Sequence, residues 1–171
     1  MILNDVPYEG VAYFKYLGSL VTYNNNIMVE IKDRIASCNH CLQPLANIMK
    51  DRYISKKVKI RICKTIIKSI VVYGSETCTL SEQAITLLAT WERKIHRKIY
   101  APLCDRGSRH IRTIEELKNL YQERDIVRHI KTLRLEWLGH LIRMQNIGIP
   151  KVALDTKHEG KRKVGRPKIA I

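Results

Sequence analysis

IMVEIKDRIASCNHCLQPLANI, Ile27 to Ile48, is the stretch whose reading decides the fold. Ile27, Ile31, Ile35, Cys38, Leu42, Leu45 and Ile48 recur every three or four residues, which on a helix places them along one face. A half-buried strand would alternate apolar and polar residues, and this stretch does not. Pro44 lacks a backbone N–H and clashes with the preceding turn, so the sequence predicts a kink or break there.

Downstream the helical period continues. Ser55 can cap a second helix whose apolar stripe is Val58, Ile62, Ile66 and Ile70, with Gly74 as a left-handed stop. The outer face of that helix is expected to carry Lys56, Lys57, Lys59, Arg61, Lys64 and Lys68. Ser81 opens a third helix with Ile85, Leu88, Trp91 or Glu92, Ile95 and Ile99 along it and Pro102 beyond. LCDRGSRHIR, from Leu103, reads as a loop. Thr113 and Glu116 have the spacing of a capping box, opening a short helix through Ile114, Leu117 and Tyr121. A longer helix is expected from about Glu123 to Met144, with Ile126, Ile130, Leu133, Trp137, Leu141 and Met144 inward.

Upstream the chemistry changes. VAYFKYLGSLVTY, Val11 to Tyr23, is rich in aromatic and β-branched residues around Gly18-Ser19, the composition of two strands joined by a two-residue turn. From Gly148 the periodicity stops and the chain becomes rich in Lys, Arg and Gly, which predicts disorder in the free protein. The fold class is therefore mainly α: a short N-terminal β-hairpin, a bundle of about five helices, and a basic disordered C-terminal tail. The corresponding segments are a hairpin at 1–26, helical regions at 27–101 and 102–147, and a flexible tail at 148–171.

A chain of 171 residues is long enough for one sizeable core. Its net charge of +15 is unusual and points to an anionic partner such as nucleic acid. That charge is uneven. Residues 1–30 hold one Lys against three acids (−2), residues 31–80 ten basic against three acidic side chains (+7), and residues 145–171 seven against two (+5). The N-terminus carries no basic opening or apolar run, and no uncharged apolar stretch approaches the roughly 18 residues of a membrane span, so an intracellular chain without a membrane partner is expected. An odd number of cysteines, five, scattered through helical patterns, fits a reducing compartment.

The sequence carries no complete catalytic or metal-binding motif. Cys38-Asn39-His40-Cys41 supplies three ligand types in four residues, but a closed zinc site needs four converging ligands, and only the isolated Cys104 and His110 could complete it. Packing on the apolar stripe accounts for both cysteines. His140 lies in WLGHLIRM with no carboxylate, Ser or Cys at a spacing that would build a relay. There is no phosphate-binding glycine loop and no paired-carboxylate motif for magnesium, so neither metal, cofactor nor catalytic residue is expected. The basic helix of residues 55–73 has the charge of a membrane-surface helix but lacks an aromatic-rich apolar face.

FKYLGSLVT (Phe14 to Thr22), EIKDRIASC (Glu30 to Cys38), VVYGSETC (Val71 to Cys78) and WLGHLIRM (Trp137 to Met144), closed by Gly165-Arg166-Pro167, occur in that order. Together they make most of the chain resemble the C-terminal part of a reverse transcriptase of a non-LTR (LINE-type) retrotransposon. In that family the first motif belongs to the primer grip, so the resemblance makes Phe14, Lys15, Tyr16, Leu17 and Gly18 its counterpart. The following helices resemble the thumb that tracks the template–primer duplex, and WLGHLIRM resembles the connector after it. Cys78 stands where many relatives have Trp. The resemblance also implies that the metal-binding aspartates of the palm lie upstream of residue 1, so the chain is expected to be inactive alone.

Charge and resemblance imply RNA, DNA or an RNA–DNA hybrid as partner, held through phosphates without sequence specificity. The contacts expected are Lys15, Lys56, Lys57, Lys59, Arg61, Lys64 and Lys68, together with Lys161, Arg162, Lys163, Arg166 and Lys168 of the tail. Gly165-Arg166-Pro167 resembles the core of an AT-hook, with Val164 where such a hook has Arg. The same run serves equally as a nuclear-import signal. A second reading stays open, a helical protein-interaction module with no nucleic-acid role. Surfaces that would face a missing palm, carrying Tyr13, Phe14 and Tyr16, favour self-association.

Overall fold

The computed structural model describes residues 2–3, 6–7, 9–105, 108–146 and 148–156. Strands β1 (Ile2–Leu3) and β2 (Val6–Pro7) form a minimal antiparallel pair. Strands β3 (Tyr13–Tyr16) and β4 (Ser19–Thr22) form the expected hairpin, with Phe14 opposite Val21 and Tyr16 opposite Ser19. The turn lies one residue earlier than the composition suggests. Leu17 (φ 47°) and Gly18 (φ 84°) occupy it, both with the positive φ that a type I′ hairpin turn demands, and Ser19 is already in the strand. A one-residue slip would have exchanged the two faces of the hairpin.

Helix α1 (Ile27–Leu42) starts where Asn26 Oδ1 accepts the Met28 N–H at 3.1 Å and ends ahead of Pro44. The chain resumes helically as α2 (Ala46–Lys50). Ser55 caps α3 (Lys56–Ile62), accepting the Val58 N–H at 3.3 Å. This helix passes without a break through a π-helical turn, Cys63–Lys68, into α4 (Ser69–Val72), and Gly74 follows at φ 62°. The π turn corrects the expected stripe. Lys59, Ile67 and Val71 are buried and Cys63 is half-buried, whereas Val58 and Ile66 face solvent. Residues four apart overshoot a full α-helical turn by about 40°, and a wider turn absorbs the excess, so intervals of four stay on one face.

Helix α5 (Glu82–Tyr100) is capped by Ser81 and buries Leu88, Trp91, Glu92, Ile95 and Ile99, as the periodicity predicts. The expected loop after Pro102 contains a small hairpin, β5 (Leu103–Asp105) with β6 (Ser108–His110). Thr113 and Glu116 form a complete capping box for α6 (Ile114–Tyr121), and Asp125 caps α7 (Ile126–Arg143). Each such cap is worth about 1 kcal/mol. A short helix α8 (Ile149–Asp155) corrects the expectation of disorder from Gly148: Pro150 in its first turn has a φ already suited to a helix. The core is made by α1, the α3–π–α4 helix, α5 and the start of α7, with Cys38, Ile67, Leu88, Ile126 and Ile130 at most 1% exposed.

Three of the sequence motifs meet at one buried side chain, Arg34. Its guanidinium donates to the carbonyls of Val71 (3.3 Å) and Tyr73, to Ser19 Oγ (3.1 Å), and to the Glu30 carboxylate. Cys78 Sγ donates to the other Glu30 oxygen at 3.4 Å. Ser19 belongs to FKYLGSLVT, Glu30 and Arg34 to EIKDRIASC, and Val71, Tyr73 and Cys78 to VVYGSETC. Arg34 thus ties the hairpin, α1 and the end of α4 together while satisfying carbonyls left over at a helix terminus.

Candidate nucleic-acid interface

The lysines of the α3–π–α4 helix do not form one uniform exposed face. Lys56, Lys57 and Arg61 are exposed as expected. Lys59 corrects the expectation: it is buried, with Nζ donating to the Asp51 carbonyl at 2.6 Å. Its place on the inward row of the π-modified helix forces this, and the bond to Asp51 satisfies the ammonium there. Lys64 pairs with the Glu123 carboxylate. Lys68, its side chain 15% exposed, donates to the Arg124 carbonyl at 3.2 Å and lies 3.9 Å from Glu92.

Those two lysines form one wall of a cleft of about 850 Å³. The other wall comes from the α6–α7 connection and the first turn of α7: Glu123, Arg124, Arg128 and His129. Gln122, in the left-handed conformation (φ 54°), ends α6 and reverses the chain so that this connection lies across from Lys64 and Lys68. Four permanent cations, Lys64, Lys68, Arg124 and Arg128, thus share the cleft with one carboxylate, Glu123. The sequence alone does not single out Arg124 and Arg128. Their four-residue spacing around the Asp125 cap was a visible signal, but nothing in it showed which helix they would face.

Beneath the cleft lies a polar cluster that holds its walls. Glu92 of α5 accepts the Ile126 N–H on both carboxylate oxygens at 3.0 Å, pinning the start of α7 from a neighbouring helix. Burial raises the Glu92 carboxyl above its usual range, against the opposing pull of the Ile126 bond and Lys68. His96 packs against Tyr121 with ring centroids 4.2 Å apart and planes tilted by 38°, and burial, aided by Lys68, lowers its imidazole to about 4. Both Lys64 Nζ and Lys68 Nζ lie 6.0 Å from the centre of the Tyr121 ring. Burial, followed by Lys68, also lowers His129, so His129 adds little positive charge to the cleft near neutral pH.

The remaining sequence candidates lie elsewhere. Lys15 is on the hairpin, 3.3 Å from Asp33 of α1, and no residue of β3 lines the cleft. Phe14 and Tyr16 are exposed and stacked, with centroids 6.3 Å apart, while Leu17 and Gly18 form the turn. Lys161, Arg162, Lys163, Arg166 and Lys168 lie outside the described residues. Cys38 is buried, its Sγ 3.4 Å from the Ile67 carbonyl and its thiol pushed up to about 12, mainly by burial; Cys41 is half-buried and His40 exposed. Among the described residues no group of three or more His, Cys, Asp or Glu side chains could hold a metal ion, and no helix is long and apolar enough to cross a membrane.

Fold and cleft define a mainly helical, strongly basic chain, and comparison relates it to a transposon-derived protein. It is 27% identical over 142 residues to a Caenorhabditis elegans protein described as transposon-derived, a match covering 81% of this chain. The match spans 49%, about half, of that relative's length. No protein-family model matches the chain, and no solved structure does.

Proposed function

We propose that the chain is the thumb-and-connector part of a LINE-type retrotransposon reverse transcriptase, binding RNA, DNA or their hybrid through phosphates without sequence specificity and catalysing nothing alone. The observation that carries this reading is the basic cleft, in which cations from segments about sixty residues apart share one concave surface. Lys and Arg at such a surface neutralise phosphates and release condensed counterions, the general source of non-specific affinity. Exposed Lys56, Lys57 and Arg61 extend the positive surface along α3. Similarity to a transposon-derived protein supports the same reading, as do the ordered motifs that meet at Arg34.

The test is binding to a labelled RNA–DNA hybrid as a function of salt, for the full chain, for the chain ended at Gly160, and for the triple variant Lys57→Glu, Arg61→Glu, Arg128→Glu. The triple variant should lower the log–log salt slope by roughly two to three units, since each lost phosphate contact removes about 0.9. Part of the slope should survive removal of the tail. An unchanged slope in the triple variant, or binding that disappears with the tail alone, overturns the reading.

A further inference from the structure

A second cavity, of about 450 Å³, opens between α5, α6 and α7. Small-molecule sites commonly measure roughly 300–1,000 Å³. Its walls are largely apolar, with Ile85 and Ala89 of α5, Leu117 of α6 and Val127 of α7. Glu92 and His96, about one helical turn apart on α5, bring polar groups to the same space. Both Glu92 oxygens are committed to the Ile126 N–H. His96 is different. It is 7% exposed, its ring packs on Tyr100 and Tyr121, and neither ring nitrogen has a hydrogen-bond partner among the described residues. A neutral imidazole carries one donor and one acceptor, and leaving them unmet at such burial costs free energy.

Charge narrows the occupant. Glu123 is paired with Lys64 and Asp125 with Arg128, whereas Arg93, Lys118 and Lys131 line the cavity with no ion pair among the described residues. An anion deep inside would meet the Glu92 carboxyl group, and a cation would have to pass those three side chains. A neutral ring with a hydrogen-bonding edge and an anionic group left outside meets neither obstacle. We propose that the cavity takes an unpaired nucleobase, its edge on the His96 ring nitrogens and its phosphate among Arg93, Lys118 and Lys131. Unstacked bases are held by bonds to their edges and by packing between apolar and aromatic side chains, the two things this cavity offers. Glu123 and Arg128 line both this cavity and the basic cleft, so a strand lying in the cleft passes the mouth. The base's belonging to such a strand rests on the cleft holding phosphates, as proposed above.

The test compares a short single-stranded DNA with a matching chain of abasic deoxyribose phosphates, on the full chain and on Ala89→Leu, which narrows the cavity without touching the cleft. Wild type should hold the DNA about tenfold more tightly than the abasic chain. Ala89→Leu should remove most of that preference while leaving abasic binding, its salt slope and the circular dichroism unchanged. In ¹⁵N-histidine NMR spectra the His96 ring signals of wild type should move with DNA and stay in place with the abasic chain. Adenosine monophosphate presents the same base and phosphate without a strand: His96 signals that move with it but not with DNA keep the site and make its source a free nucleotide. Wild-type His96 signals that neither DNA nor the mononucleotide moves overturn the proposal, even if Ala89→Leu fails to fold. An undiminished preference for DNA in a folded Ala89→Leu overturns it too, by placing the base elsewhere. Hybrid binding that keeps its salt slope beside either negative result leaves the phosphate cleft standing and removes only the base site.

Discussion

Replacing His96 by Phe isolates one buried titration. His96 is 7% exposed on α5, faced by Tyr100 of the same helix, Tyr121 of α6, and Lys68 and Glu92 beneath the cleft. Burial, then Lys68, lowers its imidazole from 6.5 to about 4. As pH falls through 6.5 the unfolded chain takes up a proton that the folded chain refuses until about 4, so stability is full above 6.5 and lost between these values. Integrating that difference gives a loss of about 2 kcal/mol at pH 5 and about 3 kcal/mol at pH 4. Glu92 acts with the opposite sign, because a carboxyl raised by burial contributes stability that fades as pH rises through its folded value. Comparing His96→Phe with wild type subtracts Glu92 and the other carboxylates common to both. Urea unfolding followed by circular dichroism at pH 7, 5 and 4, at fixed salt, should show the variant losing about 3 kcal/mol less than wild type across the range. Parallel stability curves for the two proteins would refute the reasoning.

Two further substitutions separate folding from binding. Lys59→Met keeps the buried stem but leaves the Asp51 carbonyl without its donor, so it should cost about 2 kcal/mol in urea unfolding while leaving the salt slope of hybrid binding unchanged. A reduced slope would show that Lys59 reaches phosphate after all. Arg34→Lys keeps the charge but loses the fork that serves Val71, Tyr73, Ser19 and Glu30 at once, and should destabilise by roughly 3 kcal/mol in the same assay; a cost under about 1 kcal/mol would mean the node is replaceable.

The helices were legible because their signals are local. Pro44 falls between two helices, and Ser55, Ser81 and the Thr113–Glu116 pair cap where their spacing indicates. Errors arose where the outcome depends on contacts distant in sequence. No local rule for an α-helix reports a π turn, so periodicity alone points Lys59 outward and Val58 inward, the reverse of what the structure shows. The hairpin was clear from composition, but its register rested on whether Leu17 would accept a positive φ. Half of the cleft was legible as the lysines of one helix. The other half needs Gln122 to reverse the chain and Glu92 to hold Ile126, pairings that span more than thirty residues for the latter and leave no periodic trace. The motifs behind the family resemblance were visible as strings, whereas their shared anchor at Arg34 was not.

The π turn at Cys63–Lys68 makes the two halves of its helix depend on length as well as on residue type. Each residue in an α-helix sets the next about 100° further round the axis. Losing a single residue from this turn would therefore let the helix close into regular geometry and swing everything beyond it. Lys68 would leave Glu92 and the Arg124 carbonyl, Val71 would leave the core, and the carbonyls of Val71 and Tyr73 would turn away from Arg34. A substitution there can be absorbed by neighbouring side chains, but a one-codon deletion cannot. In this helix the number of residues, and not their identity alone, sets the direction in which every later side chain faces.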